Sequence, residues 1–151
     1  MIKKILTLAF FLGFFTVQSQ NLVWKTTIAE GIETSNKVKK PMLILFTAEN
    51  YSHNLENEIM KTLDFALWSR DNVVLVKLDL SDKNASDSDK EQNIKLKNAF
   101  GVQEFPEVCF ANAVIRKSKT TFGSLGKMTY TSGGVKAWIT EANSLLRPSD
   151  F

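Results

Sequence analysis

Three places in the 151-residue sequence carry side chains able to do chemistry: the run Tyr51-Ser52-His53-Asn54, the acid-rich stretch between Asp79 and Asp89, and Cys109. His53 is the sole histidine and Cys109 the sole cysteine. An imidazole beside a hydroxyl suggests a Ser-His hydrolase, because histidine can take a hydroxyl proton at neutral pH. Chain neighbours rarely aim at one another, however, and the sequence names no third group to orient the imidazole. Ser52 or Asn54 fits better as a helix cap that accepts a backbone N–H, and His53 as an exposed or ligand-contacting loop residue. The acidic stretch offers oxygen ligands, yet in a calcium loop starting at Asp82, Asp87 falls where glycine is needed and Asn93 where glutamate is needed. No metal site or cofactor is expected. One thiol cannot close an internal disulfide, build a cysteine-rich metal cage or run a two-cysteine redox cycle. Cys109 lies in Glu107-Val108-Cys109-Phe110-Ala111, a strand-like run in which a free cysteine acts as a small apolar side chain. An odd cysteine in an exported chain also leaves a reactive or bridging thiol as an alternative.

Regular elements must position these groups. Ile28, Ala29 and Ile32 recur at helical spacing, so a first helix is predicted within residues 24–40, ending before Pro41. Met42-Leu43-Ile44-Leu45-Phe46 is a continuous apolar run, as expected of a strand buried on both faces. After the polar loop 49–54, Leu55, Ile59, Leu63 and Ala66/Leu67 predict a second helix to about Ser69, with Glu56 and Glu58 near its positive end. Residues 73–79 predict a second buried strand and residues 90–100 a third helix stopped by Gly101. Strands follow at 107–111 and about 120–130, the latter with turns at Gly123 and Gly126. Gly133-Gly134 precedes a last helix whose apolar stripe is Val135, Trp138, Ile139, Ala142, Leu145 and Leu146. This order implies an α/β fold in layers.

The start of the chain reads differently. Lys3 and Lys4, an apolar stretch over residues 5–17 and the ending Val17-Gln18-Ser19 have the layout of a secretory signal peptide over residues 1–19. This 13-residue stretch falls short of the roughly 20 residues that span a bilayer, so no membrane span is expected after cleavage. A single domain over residues 20–151 remains, exported to the periplasm or beyond, and large enough to rely on its core rather than on disulfides. Without the two leader lysines the 19 basic residues become 17 against 16 acidic ones. A net charge of +1 leaves no strong electrostatic footprint for nucleic acid or an anionic membrane. Arg116, Lys117 and Lys119, beside Val114-Ile115, read as a solvated strand end.

The remaining pieces, taken together and in order, resemble the thioredoxin family, in its exported thioredoxin-related branch. They are Trp24, Lys40-Pro41 leading into Leu43-Ile44-Leu45-Phe46-Thr47-Ala48, Val76-Lys77-Leu78-Asp79, Phe100-Gly101-Val102-Gln103-Glu104-Phe105-Pro106 and Gly133-Gly134-Val135-Lys136-Ala137-Trp138-Ile139. The resemblance implies a thioredoxin-like α/β fold, a central mixed β-sheet with helices on both faces. It further implies a site formed by the loop before the second helix and a facing cis-proline loop at Pro106. The family's Cys-x-x-Cys aligns with Ser52-His53-Asn54-Leu55, so both cysteines are missing. A buried carboxylate common beneath that site is missing too, since residues 42–46 contain no acid. Disulfide exchange needs an attacking thiolate and a resolving thiol. The expectation is therefore a redox-silent, non-catalytic module that binds a protein or peptide partner through Tyr51, Ser52, His53, Asn54, Phe105 and Pro106. The alternative is an oxidoreductase that works through Cys109 or a partner's thiol.

Overall fold

The apolar run at residues 42–46 forms the centre of the molecule. In the computed structural model, which describes residues 21–147, it is strand β1 (Met42–Thr47), and every residue from Met42 to Phe46 is fully buried. Its side chains alternate across the sheet. Met42, Ile44 and Phe46 join one apolar cluster and Leu43 and Leu45 join the other, so the strand needs apolar residues at every position. It is also paired on both edges, in parallel with β2 (Val74–Asp79) and antiparallel to β3 (Glu107–Arg116). Strand β4 (Lys119–Met128) pairs antiparallel with β3 and completes a four-stranded mixed sheet of order β2-β1-β3-β4. The expected signal segment, residues 1–19, lies outside the described residues.

Helices cover both faces. On one lie α1 (Ile28–Val38) and α3 (Asp87–Ala99), which contribute Ile28, Ile32 and Leu96 to a cluster that includes Cys109. On the other lie a π-helical turn (Leu55–Met60), α2 (Leu63–Asn72) and α4 (Gly134–Leu146). The hub of that second face is Trp138, fully buried, with ring contacts to Phe65, Trp68 and Phe110 and an indole N–H donated to the Thr129 carbonyl at 3.2 Å.

Several element limits depart from expectation for identifiable reasons. Residue 25 is not helical: its N–H donates to the Leu75 carbonyl and its own carbonyl accepts from Lys77 N–H, both at 2.8 Å, which lays it along the open edge of β2. Helix α1 starts only after Thr27, whose hydroxyl accepts the Glu30 N–H. Helix α3 starts three residues before the expected Lys90, because Ser86 and Asp89 bond reciprocally: the hydroxyl accepts Asp89 N–H at 3.1 Å and donates to its carboxylate at 2.8 Å. The β3–β4 hairpin is longer than predicted and contains both Gly123 and Gly126 within β4, with a register shift opposite Phe110 and Ala111.

The largest departure is the second helix. Its single predicted stripe is broken at Lys61 and Thr62. Before the break, Lys61 N–H reaches back five residues to the Glu56 carbonyl at 2.9 Å, and this wider turn buries Leu55, Ile59 and Met60 together. Thr62 then closes one element and opens the next, donating its hydroxyl to the Ile59 carbonyl at 2.6 Å and accepting Phe65 N–H at 3.2 Å. The helical phase restarts there. Phe65, Ala66 and Trp68 face the core, while Leu63 and Leu67, assigned to the buried stripe by spacing, are exposed.

Close approach of α1 to the sheet depends on Gly31. A Cβ at that position would lie 2.5 Å from Val76 Cγ2 and 3.3 Å from Met42 Sδ, both on buried side chains. Alanine gains about 1 kcal/mol of helix propensity over glycine, but overpacking typically removes 1–3 kcal/mol. Gly31→Ala is expected to lower stability by about 1 kcal/mol net. In urea unfolding, the midpoint should fall with an unchanged slope.

Candidate functional site

The loop after β1 and the loop before β3 leave the same end of the sheet, because the two strands are antiparallel and Phe46 pairs with Glu107. Their side chains meet there. Tyr51 and Phe105 pack edge to face with ring centroids 5.2 Å apart, a geometry that matches the positive edge of one ring to the negative face of the other. The Phe105–Pro106 peptide bond is cis. Lys97, from the last turn of α3, holds its ammonium 5.8 Å from the centre of the Phe105 ring. Tyr51 stays 47% exposed, while Phe105 and Pro106 are half-buried. The result is an aromatic rim open to solvent.

Ser52, His53 and Asn54 are exposed on this rim, next to Tyr51. Ser52 Oγ accepts the Asn54 N–H at 3.3 Å, and Asn54 makes no capping bond with its own side chain. The His53 carbonyl accepts Asn57 N–H, but among the described residues the imidazole has no hydrogen bond or ion pair. The Ser52 oxygen accepts a backbone N–H, its hydroxyl makes no bond to the imidazole, and nothing orients His53 toward it, so the pair lacks the arrangement that activates a serine. Leu55 points inward and is fully buried against Leu43, Leu45 and Trp138 of the second-face core.

Two polar pairs brace the loops, and neither was visible in the sequence. Lys127 donates to the Gly101 carbonyl at 2.8 Å and pairs with Glu107 at 3.1 Å, tying β4 to both ends of the loop that carries Phe105. The Tyr130 hydroxyl donates to the Glu58 carboxylate. That bond pushes the phenol pKa up, because the carboxylate holds the proton on oxygen. Lys97, Lys127 and Tyr130 come from elements distant in the chain, so no local spacing marks them. Among the described residues no group of three or more His, Cys, Asp or Glu side chains is placed to hold a metal ion.

Cys109 lies elsewhere. It pairs with Ile44 in the sheet, is fully buried, and belongs to the cluster under α1 and α3. The sheet therefore separates its sulfur from Leu55 and the turn that follows the rim.

No protein-family model matches the sequence, and no curated protein matches it. Solved structures do. The DsbH oxidoreductase superimposes with a TM-score of 0.68 at 25% identity, over 83% of this chain and 85% of that one. The chain has a thioredoxin-family fold. A thioredoxin from Thermus thermophilus is similar to it over 82% of this chain and 86% of that one, with a TM-score of 0.61 and 12% identity. In this thioredoxin fold the expected mixed sheet and two-sided helix cover are present.

Burial in the core of the thioredoxin fold pushes the Cys109 thiol up to about 12 from an ordinary 9.0, with the Glu107 carboxylate adding to the rise and Lys127 opposing it. Between those values the unfolded chain has lost the proton and the folded chain keeps it. Stability attributable to this group is therefore complete below pH 9 and falls as pH rises toward 12, by up to about 1.4 kcal/mol per pH unit. Alkaline unfolding curves of the protein and of Cys109→Ala are expected to converge over that window, and a thiol reagent should label Cys109 only after unfolding.

Proposed function

We propose that this is an exported, redox-silent binding module that takes an extended protein or peptide segment across the rim made by Tyr51, His53, Phe105 and Pro106. The observation that carries the reading is the Tyr51–Phe105 contact, which joins the two loops into one solvent-facing surface. Residues 103–106 lie outside the strand ladder, whose first pair on this side is Phe46 with Glu107. An incoming strand could pair with that stretch of backbone while the two rings supply apolar contact. The chemistry of the aligned tetrad supports the absence of catalysis. A serine hydroxyl stays protonated at neutral pH and cannot exchange with a disulfide, and leucine has no nucleophile. Burial of Cys109 behind the sheet weighs against its serving as a substitute thiol. Export is supported by the basic start, apolar stretch and small-residue ending of residues 1–19.

The test is binding of a reduced, alkylated, permanently unfolded protein, followed by fluorescence anisotropy, alongside a disulfide-reduction assay. Tyr51→Ala combined with Phe105→Ala is expected to weaken binding about tenfold, corresponding to roughly 1.4 kcal/mol of lost aromatic contact. Reduction should stay at background. Turnover that vanishes with Cys109→Ser would overturn the proposal, as would binding that is indifferent to both ring deletions.

A further inference from the structure

The near-neutral charge count conceals a segregation. At the end of the sheet remote from Tyr51 and Phe105, the turn from α1 to β1 brings Lys37, Lys39 and Lys40, and the β3–β4 hairpin brings Arg116, Lys117 and Lys119. Asn36, at the last turn of α1, donates its amide to the Ala113 carbonyl at 3.2 Å and fastens the first group to the second. None of the six cations has an ion pair among the described residues: Lys40 donates its ammonium to the Arg70 carbonyl at 2.9 Å, Glu33 pairs with none of them, and Asp71 pairs with Arg70 at 3.1 Å. The described ion pairs of Lys77 and Lys127 lie with the other half of the molecule.

Two further features are present at this end. Lys39, Lys117 and Ser118 hold left-handed backbone angles, φ 58, 49 and 64, where glycine or asparagine is less strained. Lysine stands at two of these positions despite that conformational penalty. Beside the cations, Val38, Val114 and Ile115 are 45%, 47% and 53% exposed. The hairpin runs five residues beyond Ala111, which pairs with the first residue of β1, so its tip stands about 17 Å past the strand start.

We propose that this basic end docks the protein onto an anionic lipid surface tip first, with Arg116, Lys117 and Lys119 among the headgroups, Val114 and Ile115 flanking them, and Lys37 and Lys39 set back behind the tip. Polybasic segments beside exposed aliphatic side chains suit such a surface. Nucleic acid fits less well, because single-strand binding uses exposed rings for stacking, and of the hairpin's two rings Phe110 is fully buried and Phe122 is packed against Phe100 with ring centroids 5.7 Å apart. Docking by this end would leave the Tyr51–Phe105 rim facing away from the membrane. The proposal is independent of what that rim binds.

The test is sedimentation of residues 20–151 with vesicles of phosphatidylglycerol and phosphatidylcholine in equal parts, and with phosphatidylcholine alone. Binding is expected to the anionic vesicles only, and to fall steeply between about 0.05 and 0.5 M salt. Arg116→Ser, Lys117→Asn and Lys119→Ser together should lower partitioning more than tenfold, with asparagine keeping the left-handed turn. Lys83→Ser, Lys90→Ser and Lys95→Ser, which remove the same charge elsewhere, should change it less than twofold. Val114→Ser with Ile115→Ser should weaken binding while leaving its salt dependence in place. The proposal fails if the protein ignores anionic vesicles at low salt, if the two charge triples act equally, or if single-stranded RNA displaces the protein from the vesicles at equal phosphate concentration.

Discussion

Burial of β1 on both faces and both edges is the constraint from which the rest of the molecule follows. Its five apolar residues place one cluster above the sheet and one below, so each flanking layer must supply an apolar surface to match. Isoleucines of α1 meet one side, and the aromatic group around Trp138 meets the other. The strand has no position at which a charged side chain could sit without losing its hydration. Polar chemistry is therefore excluded from its length and confined to its two ends. At one end the chain emerges into the loop with Tyr51, and at the other it is entered through Lys39 and Lys40.

The parts legible in the sequence were those in which a local pattern and the tertiary outcome agree. The continuous run at β1 and the stripe of α4 both match the core that formed, and the ordered motifs around Lys40-Pro41 and Phe105-Pro106 pointed to the right fold. The second helix shows where such reading stops. Spacings of four link Leu55, Ile59, Leu63 and Leu67 equally well, yet the chain buries Met60 by widening one turn and then resets its phase at Thr62. Periodicity describes an uninterrupted helix, and it carries no information about a change of pitch. The start of α3 is a different case: Ser86 and Asp89 have capping-box spacing, so the signal was present in the sequence.

The candidate site divides in the same way. That the loops bearing Tyr51 and Phe105 face one another could be inferred by resemblance, and the rings do touch. The supports of those loops could not, because Lys127 reaches Gly101 and Glu107, and Tyr130 reaches Glu58, through contacts between strands and helices remote in sequence. Charge shows the limit most clearly. A sum over residues is nearly zero, and only the fold sorts the terms, sending the α1–β1 turn and the hairpin tip to one end.

The π-helical turn has a consequence for how the molecule can change over time. A π turn is an α-helix with one surplus residue lodged in it. Deleting a residue between positions 56 and 60 would remove that surplus and, with α2 held by Trp68 against Asn143 and β1 fixed in the core, shorten the path that carries residues 51–54 to the rim. The Tyr51–Phe105 contact would then lose its register. The mouth of this fold is thus keyed to a count of one amino acid in the turn that follows it.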